Sequence, residues 1–475
     1  MWGMSLEVEI TEELIARQSP ESQAIIRILL SQIARLSARV AELESRLGKT
    51  PQNSSLPPSS QHPHAKPPQS KPKTKKKRRG GQPGHKRHER PLVPTDECDE
   101  IETLKPTECR RCGTKLRGSD PGPLRHQVWE LPPIQPLVTE YQRHRLACPS
   151  CGETTCAKLP VEAAASTAGP RLVALTALLM GCYRQSKRRT ALFLEQILGQ
   201  PCSPGWVVKL QNQATAAVRP AYEELVAALP EEPVVGMDET PTKESNRKAW
   251  LWIAAAREFT TFAVRGSREG TAVSEWLGES FAGVVMCDRA KMYWQVSHLQ
   301  WCWAHLQRDF QALIDGGNAQ AKRLGYDLRC ATRKLFVHWA DYRAGTISRA
   351  ALVRRMGPVR RRVERLLLRG AQSGNRLFQG TCRELVDHRQ RLWAFLRHDD
   401  VEPTNNASER ALRHAVIWRK LSFGTQSAAG SRFVETLLTV VETCRQQRRN
   451  VFAYLVEALK ARSAGQKTPS LLPGA

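Results

Sequence analysis

The chain has 475 residues, with 72 Lys and Arg against 46 Asp and Glu, which gives a formal net charge of +26. This length exceeds what one hydrophobic core organises and predicts about three or four domains. A hydrophobic fraction of 41% excludes a wholly disordered chain. No apolar run reaches the roughly 18 residues that a membrane span requires, so no membrane partner is expected.

Cysteine content and the N-terminal sequence indicate the cellular compartment. The chain has 13 cysteines, an odd number, and its first residues, MWGMSLEVEITEEL, lack the basic-then-apolar order of a secretory signal. We therefore expect reduced thiols and a cytoplasmic protein. A pI near 9.9 favours a polyanionic partner, most simply nucleic acid.

Residues 1–50 are predicted to form an N-terminal helix with a coiled-coil seam. Its apolar residues recur in steps of three and four, and Gly48 follows as a stop. Self-association into a homodimer or higher oligomer is favoured over docking of the helix on its own chain. The seam residues are Ile26, Leu29, Ile33, Leu36, Val40, Leu43 and Leu47.

Residues 51–95 are predicted to be a basic linker rich in Pro, Ser and Gly. The stretch KPPQSKPKTKKKRRGGQPGHKRHER has no apolar periodicity, so it should be extended. An arm that follows phosphates is favoured over a solvated tail, and its binding to DNA should weaken steeply with salt. The cations predicted to contact DNA are Lys75, Lys76, Lys77, Arg78, Arg79, Lys86 and Arg87.

Residues 96–160 are predicted to form a zinc ribbon. Two Cys-x-x-Cys pairs, CRRCG and CPSCG, each precede a glycine that lets the backbone turn around a metal-bound thiolate. The segment VWELPPIQPLVTEYQRHRLA between the pairs is predicted to supply strands. Cys98 and Cys156 lie nearby and could substitute in the site, but are expected to be bystanders. The predicted ligands of one structural Zn²⁺ are Cys109, Cys112, Cys148 and Cys151.

Residues 161–230 are predicted to contain three helices. Pro170 begins the first, Gly199 ends the second, and Ser203 followed by Pro204 begins the third. This order fits a helix-turn-helix domain whose last helix enters a major groove. An ordinary helical bundle fits the same pattern equally well.

Residues 231–304 are predicted to be strands around one helix. The runs VVGMD, KAWLWIAAA and EFTTFAV precede the helix GTAVSEWLG, and the runs GVVMCD and LQWCW follow it. Three consecutive strands, a helix and a fourth strand resemble the first part of an RNase H-like core. The predicted fold class is therefore an α/β RNase H-like catalytic core with a helical insertion, preceded by a coiled coil, a zinc ribbon and a helix-turn-helix-like domain.

Asp238 and Asp288 end two of the apolar runs. Either one alone could be a turn residue, because Asp is favoured where strands stop. Together they indicate a site for two Mg²⁺ (or Mn²⁺) ions, because hard divalent cations bind carboxylate oxygens. Such an ion pair can clamp the attacking and leaving oxygens of a phosphodiester.

A third acid is expected in residues 400–452, the predicted second part of the core. Glu409 lies in NNASERALRHAVIWRK, where Asn406 can cap the helix, so the same glutamate also fits a capping box. From the first helical turn its carboxylate can still reach a neighbouring strand end. Arg410 and Arg413 on this segment are predicted to face phosphates.

Residues 305–399 are predicted to be a helical insertion, and residues 453–475 a C-terminal helix and tail. The insertion contains the basic stretch RRMGPVRRRVERLLLRG, whose positive face is predicted to hold DNA, with a solvated face as the alternative. Cys302 and His305 stand just before and at its start. They are expected to have a structural or DNA-contacting role rather than to bind a metal.

Several motifs occur in one order along the chain: TPQNSSLPPSS, RGGQPGHKRHER, CRRCG, CPSCG, MDETP, WCWAHLQRDF and NNASERALR. This series resembles the transposases of the insertion sequence 66 family, a DDE group, from about residue 30 to about residue 460. The family tends to have a Gly-Tyr pair after the second aspartate, where this chain has Arg289 and Ala290, with Tyr293 later.

The resemblance implies that Asp238, Asp288 and Glu409 form the metal-binding catalytic triad, with Glu239 a lesser choice at the first position. It also implies that His305 and Arg308, in the segment CWAHLQRDF, contact DNA beside the site.

The function implied by the resemblance is that of a bacterial, nucleoid-associated DDE transposase. It would bind the terminal inverted repeats of its element and target double-stranded DNA, cleave strands, and join the 3′-hydroxyls to the target. Small accessory proteins of the same element are implied as partners. The alternatives are a non-catalytic DNA-binding regulator derived from a transposase, and a metal-dependent nuclease without strand transfer.

Overall fold

The computed structural model describes residues 12–47, 90–161, 163 and 166–474. The predicted basic arm, from Lys75 to Arg87, lies outside these residues. Two helices precede it, α1 (Glu12–Ala16) and α2 (Pro20–Leu47). Seam side chains of α2 from Leu29 to Leu43 are exposed in the single chain, as Ile33, at 57%, and Leu36, at 61%, illustrate. In the described ranges, no helix has the length and apolar character to cross a membrane.

The zinc-ribbon segment contains one short hairpin around the second cysteine pair. Strand β1 (Arg145–Ala147) pairs antiparallel with β2 (Thr154–Cys156). The rest of the predicted strand-bearing segment, residues 128–144, has no strand, so that prediction was wrong there. Proline has no N–H to donate to a sheet ladder, and this segment contains Pro132, Pro133 and Pro136, which explains the missing strand.

The three helices predicted after the ribbon are confirmed. They are α3 (Pro170–Gly181), α4 (Lys187–Leu198) and α5 (Pro204–Ala228). Ser203 caps α5 by accepting a hydrogen bond from the Trp206 N–H, and Gly199 ends α4 in the left-handed conformation at φ +61°.

A five-stranded mixed sheet follows, in the order β5-β4-β3-β6-β7. The first three strands in sequence are antiparallel neighbours, whereas β6 runs parallel to β3, and β7 runs parallel to β6. Helix α6 (Thr271–Leu277) crosses over between β5 and β6. The strands are β3 (Val234–Glu244), β4 (Arg247–Ala255), β5 (Thr260–Arg265), β6 (Val284–Cys287) and β7 (Leu299–Trp301).

Strand β3 does not stop at Asp238, as the sequence predicted, but continues to Glu244. It pairs with β4 over its whole second half, and Ser245 and Asn246 close the hairpin at φ +48° and +60°. Only the parallel pairing with β6 ends early, at Gly236. Asp238 therefore lies where one edge of β3 becomes free of strand pairing.

Helices complete the chain after the sheet. They are α7 (Trp303–Gly316), α8 (Ala319–Arg343), α9 (Arg349–Ala371), α10 (Gln379–Asp387), α11 (Asn406–Ser422), α12 (Ala428–Gln446) and α13 (Val451–Ser463). One continuous hydrophobic core joins α3–α5, the sheet and these later helices, and it extends from Ala168 to Leu471.

Helix α12 satisfies the outer edge of β5 with three side chains spaced four residues apart. Glu435 accepts from the Val264 N–H at 3.1 Å, and Thr439 accepts from the Phe262 N–H at 2.9 Å. One turn further, Thr443 accepts from the Thr260 N–H at 3.2 Å. Residues four apart share one helix face, so a single stripe covers an edge that would otherwise expose unpaired donors.

We expect Thr439→Val to destabilise the protein by about 1–3 kcal/mol, because it removes a buried acceptor and leaves a buried N–H unpaired. Denaturant unfolding measures the change. Thr190→Val on α4 is the matched control, because the Thr190 hydroxyl is also buried but has no hydrogen-bond partner. Equal losses in the two variants would contradict a role for the hydroxyl of Thr439.

Candidate active site

The first predicted acid, Asp238, lies on β3 just beyond the end of its parallel pairing with β6. Its carboxylate accepts a hydrogen bond from the N–H of Glu239 at 2.9 Å. Because successive strand residues point to opposite faces, Asp238 and Glu239 face different sides of the sheet.

Glu239 is held by partners of its own on the other face. Tyr293 donates its hydroxyl proton to Glu239 at 2.5 Å, and Arg268 pairs with the other carboxylate oxygen. The glutamate side chain is only 3% exposed. Arg268 therefore gives Glu239 an ion pair. Tyr293, four residues after Arg289, holds the same carboxylate in place with a hydrogen bond.

The second predicted acid, Asp288, directly follows β6. Its carboxylate accepts from the Ala290 N–H at 2.8 Å, which fixes the turn after the strand. The next residue, Arg289, pairs with Asp309 at 2.8 Å and with Glu384 at 2.7 Å. Arg289 thereby ties the end of β6 to helices α7 and α10.

The third predicted acid, Glu409, lies in the first turn of α11, and the start of this helix packs directly on β3. A Cβ atom on Gly236 would stand 2.1 Å from Ser408 Oγ and 2.7 Å from Asn405 Oδ1. The side-chain amide of Asn405 donates to the Met237 carbonyl at 2.7 Å. The helix start is therefore attached to the backbone immediately before Asp238.

The capping box that offered an alternative role for Glu409 is not formed. The N-cap residue is Asn405, and its side chain makes no capping hydrogen bond. Its backbone N–H donates to Cys302 Sγ at 3.3 Å, and the Cys302 N–H donates to the Cys287 carbonyl at 2.8 Å. Asn405 and Cys302 thus link the residues just before Asp238 and Asp288 to the start of the helix that carries Glu409, and Glu409 has no capping role.

The three predicted acids lie close enough for their charges to act on one another. Burial, followed by the negative charges of Glu239, Glu409 and Asp288, raises the pKa of Asp238 to about 8. Burial also raises the pKa of Glu409, and Asp288 adds to this rise. Without added positive charge, Asp238 therefore retains a proton at neutral pH.

Four predicted DNA-contacting residues surround the third acid. Arg308, Arg413 and Arg410 oppose the rise in the pKa of Glu409, which places their charges within reach of its carboxylate. His305 Nδ1 lies 3.5 Å from Glu409 Oε1. Burial, followed by the positive charges of Arg308 and Arg289, lowers the pKa of His305 to about 4, so the ring is neutral at pH 7.

One group of possible metal ligands in the described residues has all its ligand atoms within 4.8 Å of one another. It consists of Cys302, His305 and Glu409. The four cysteines of the ribbon do not form such a group, but each pair has the expected local fold. Cys109 accepts from the N–H of Gly113, and Cys148 accepts in the same way from Gly152. Both glycines have a positive φ, +72° and +74°.

Sequence reasoning missed Gly236 and Asn405, which position the third acid. Asn405 stands in the segment TNNASER, where only its neighbour Asn406 was assigned a role. An Asn-Asn pair before a helix is ambiguous, because either residue can be the N-cap. Its partner, Met237, is 168 residues away in the sequence, so no local pattern identifies the contact.

We expect Gly236→Ala to destabilise the protein by about 1–3 kcal/mol, since the added methyl overlaps Ser408 Oγ and forces α11 away from β3. Thermal unfolding measures the loss. Adding Ser408→Ala should restore part of the stability, because it removes the nearest atom. Gly380→Ala is the control: a Cβ there meets nothing within 4 Å, so stability should be unchanged or higher. A neutral Gly236→Ala would contradict the close approach.

Comparison with known proteins identifies the family of the chain. Residues 165–432, more than half of the chain, match the family described as Transposase IS66 family. Residues 106–152 match the zinc-finger binding domain of transposase IS66, and residues 10–91 match a family of unknown function (DUF6444).

Two curated relatives come from Sinorhizobium fredii (strain NBRC 101917 / NGR234). Uncharacterized protein y4qI is 25% identical over 246 residues, covering 46% of this chain and 44% of the relative. Uncharacterized protein y4jO is 27% identical over 177 residues, covering 37% of this chain and 52% of the relative. The chain therefore spans about half the length of the curated relatives that it matches. On the family match across its helices and sheet, the chain belongs to the IS66 family of transposases.

Proposed function

We propose that this transposase is a DDE enzyme that cleaves DNA at the ends of its element and transfers the resulting 3′-hydroxyls into target DNA. The observation that carries the proposal is the convergence of Asp238, Asp288 and Glu409. They come from positions 50 and 121 residues apart, yet two of them raise the pKa of the third. Acids are brought together against their mutual repulsion when a cation is to be bound.

The sheet supports an RNase H-like core within this proposal. Three antiparallel strands followed by two parallel ones, in the order β5-β4-β3-β6-β7, place β3 and β6 side by side at the centre. Asp238 and Asp288 then emerge beside each other where the parallel ladder ends. The insertion of helices α7–α10 separates them in sequence from Glu409 on α11.

The donor set fits hard divalent cations such as Mg²⁺ or Mn²⁺. All three groups are carboxylates, and Asp238 holds a proton that a bound cation would displace. When bound, a pair of such ions supplies Lewis-acid activation of water or a 3′-hydroxyl and stabilises the displaced oxygen. Asp238, Asp288 and Glu409 are the residues that would hold them, and Glu239 is already bound by Arg268 and Tyr293.

Other residues of the chain act on the substrate and on the position of the acids. Arg308, Arg410 and Arg413 lie near Glu409 and would bind phosphate oxygens of the DNA, since guanidinium groups pair with phosphates through two N–H donors. Asn405 sets the distance between α11 and β3. The displacement requires no serine or tyrosine nucleophile and forms no covalent protein–DNA intermediate.

Pairing of protomers through α2 belongs to the same proposal. Its seam of Leu and Ile side chains is exposed in the single chain, and a heptad seam is buried when two such helices associate. A transposase must bring two element ends together, so a dimer or higher oligomer suits the reaction.

We expect Asp238→Asn and Glu409→Gln each to reduce cleavage of end DNA by about 10²–10³-fold or more, because each removes a charge that the reaction centre requires. End binding should be largely unchanged. Strand-transfer assays with pre-cleaved ends measure the second step and separate this enzyme from a nuclease or a regulator. Glu239→Gln is the control and should retain most of its activity. Nicking retained by Asp238→Asn or Glu409→Gln would remove that residue from the site.

We also propose that the two cysteine pairs of the zinc-finger domain hold one structural Zn²⁺. Hydrogen bonds from the backbone N–H groups of Cys151 and Ser150, and then from the Cys151 thiol, lower the pKa of Cys148 and favour the thiolate that zinc binds. The pKa of Cys112 is lowered to about 7 by its contacts with Thr114 and then Cys109.

Metal analysis of the purified chain should find about one tightly held zinc ion, the number that four thiolates bind. Cys109→Ser or Cys148→Ser should abolish zinc retention, whereas Cys156→Ser, on the adjacent strand β2, should keep it. A chain without zinc, or zinc loss in Cys156→Ser, would refute this assignment.

A further inference from the structure

Helix α9 carries the highest density of positive charge in the insertion. Within Arg349–Ala371 there are eight arginines and a single acid, Glu364. A charged helix face is ordinarily solvated, so the distribution of partners decides whether this surface has a specific role.

The arginines on the two flanks of α9 are neutralised by the protein itself. Arg355 pairs with Asp341, and Arg362 lies 3.9 Å from Asp327, both on α8. On the other flank Arg360 pairs with Glu364. At the helix start Arg349 pairs with Asp399 and donates to backbone carbonyls.

Four arginines remain, and they lie in one line. Arg354, Arg361, Arg365 and Arg369 are exposed, and within the described part of the chain none has an ion pair or hydrogen bond. They are seven, four and four residues apart, which places them on one helix face, about 22 Å long at a rise of 1.5 Å per residue. We call these four side chains the arginine ridge.

The ridge lies opposite the buried face of α9. The buried residues are Leu352, Met356, Val359, Val363, Leu366, Leu367 and Gly370, which point toward α8 and α10. At 100° per residue this set centres about half a turn from the ridge. The ridge therefore points directly into solvent, and Glu364 is turned to the flank, where it faces Arg360.

We propose that the arginine ridge binds one sugar-phosphate backbone of double-stranded DNA, the substrate named in the proposed function, on which this inference rests. A strand carries one phosphate per about 3.4 Å of helix axis, and it also winds around that axis, so a ridge about 22 Å long spans fewer than about six phosphates, a number its four arginines can match. Guanidinium groups bind phosphates in a fork geometry without reading bases. The ridge thus holds DNA in place and contributes affinity, not sequence recognition.

The test compares two triple variants of the full-length chain that remove equal charge from the same helix. The ridge variant is Arg361→Gln, Arg365→Gln and Arg369→Gln; the control is Arg355→Gln, Arg360→Gln and Arg362→Gln. Glutamine keeps the helix propensity close to that of arginine. The control variant leaves three carboxylates unpaired, and these repel DNA. Any such repulsion weakens DNA binding by the control and so reduces the difference that the proposal predicts.

Fluorescence anisotropy with a labelled duplex, in buffer without added divalent cation, gives the association constant over a series of salt concentrations. For the ridge variant we expect the slope of log K against log[salt] to become shallower by about 2–3, from about 0.9 per lost phosphate contact. The control should change by less than about 1. Replacing the same ridge residues with lysine should restore most of the slope, because the charges return.

Equal changes in the two variants, or an unchanged ridge variant, would overturn the proposal. A ridge variant that changes the oligomeric state in sedimentation but not DNA binding would also overturn it, because the surface would then be a protein interface. Binding is measured without cleavage, so loss of the catalytic proposal would leave this result intact. A wild-type chain that bound no DNA would instead reject the proposed function itself.

Discussion

The close approach of helix α11 to strand β3 is the constraint on which the candidate site depends. It requires a residue without a side chain at Gly236, since even a methyl group would stand 2.1 Å from Ser408 Oγ. Across that contact Asn405 attaches the helix to Met237, and its backbone N–H reaches Cys302. This contact also positions Glu409, which lies about one helical turn after Asn405.

The same packing destabilises the ionised form of Asp238. Asp238 is surrounded by acids and buried, and its pKa rises to about 8 as a result. Glu239, next in the chain, is balanced by Arg268 and Tyr293. Burial raises the pKa of both adjacent carboxylates, but of the two only Glu239 has an arginine and a tyrosine hydroxyl as partners within the described residues. Sites with such shifted pKa values are where function concentrates.

Local patterns in the sequence predicted the helices and the succession of strands along the chain, because each depends on residues close in the chain. The triad of acids, which the family resemblance implies, stays a prediction. The predicted end of β3 at Asp238 was wrong. The alternation of less and more exposed side chains continues through Thr240 and Thr242, and the strand ends at the turn formed by Ser245 and Asn246. The capping box at Glu409 was a real alternative in sequence terms. It is excluded because the N-cap is Asn405, one residue earlier than predicted, so Glu409 lies four residues after the cap and not three. The Asn405 N–H instead donates to Cys302, 103 residues away. Only the assembled fold brings such partners together.

Arg289 shows how the insertion is joined to the site. It follows Asp288 directly and pairs with Asp309 on α7 and Glu384 on α10, so the strand end and the inserted helices are fixed to each other. Helix α9 packs on α8 and α10 within the same body. A backbone held on the arginine ridge would therefore be held relative to Asp288 as well. This connection gives a physical reason for inserting four helices between the second and third acids.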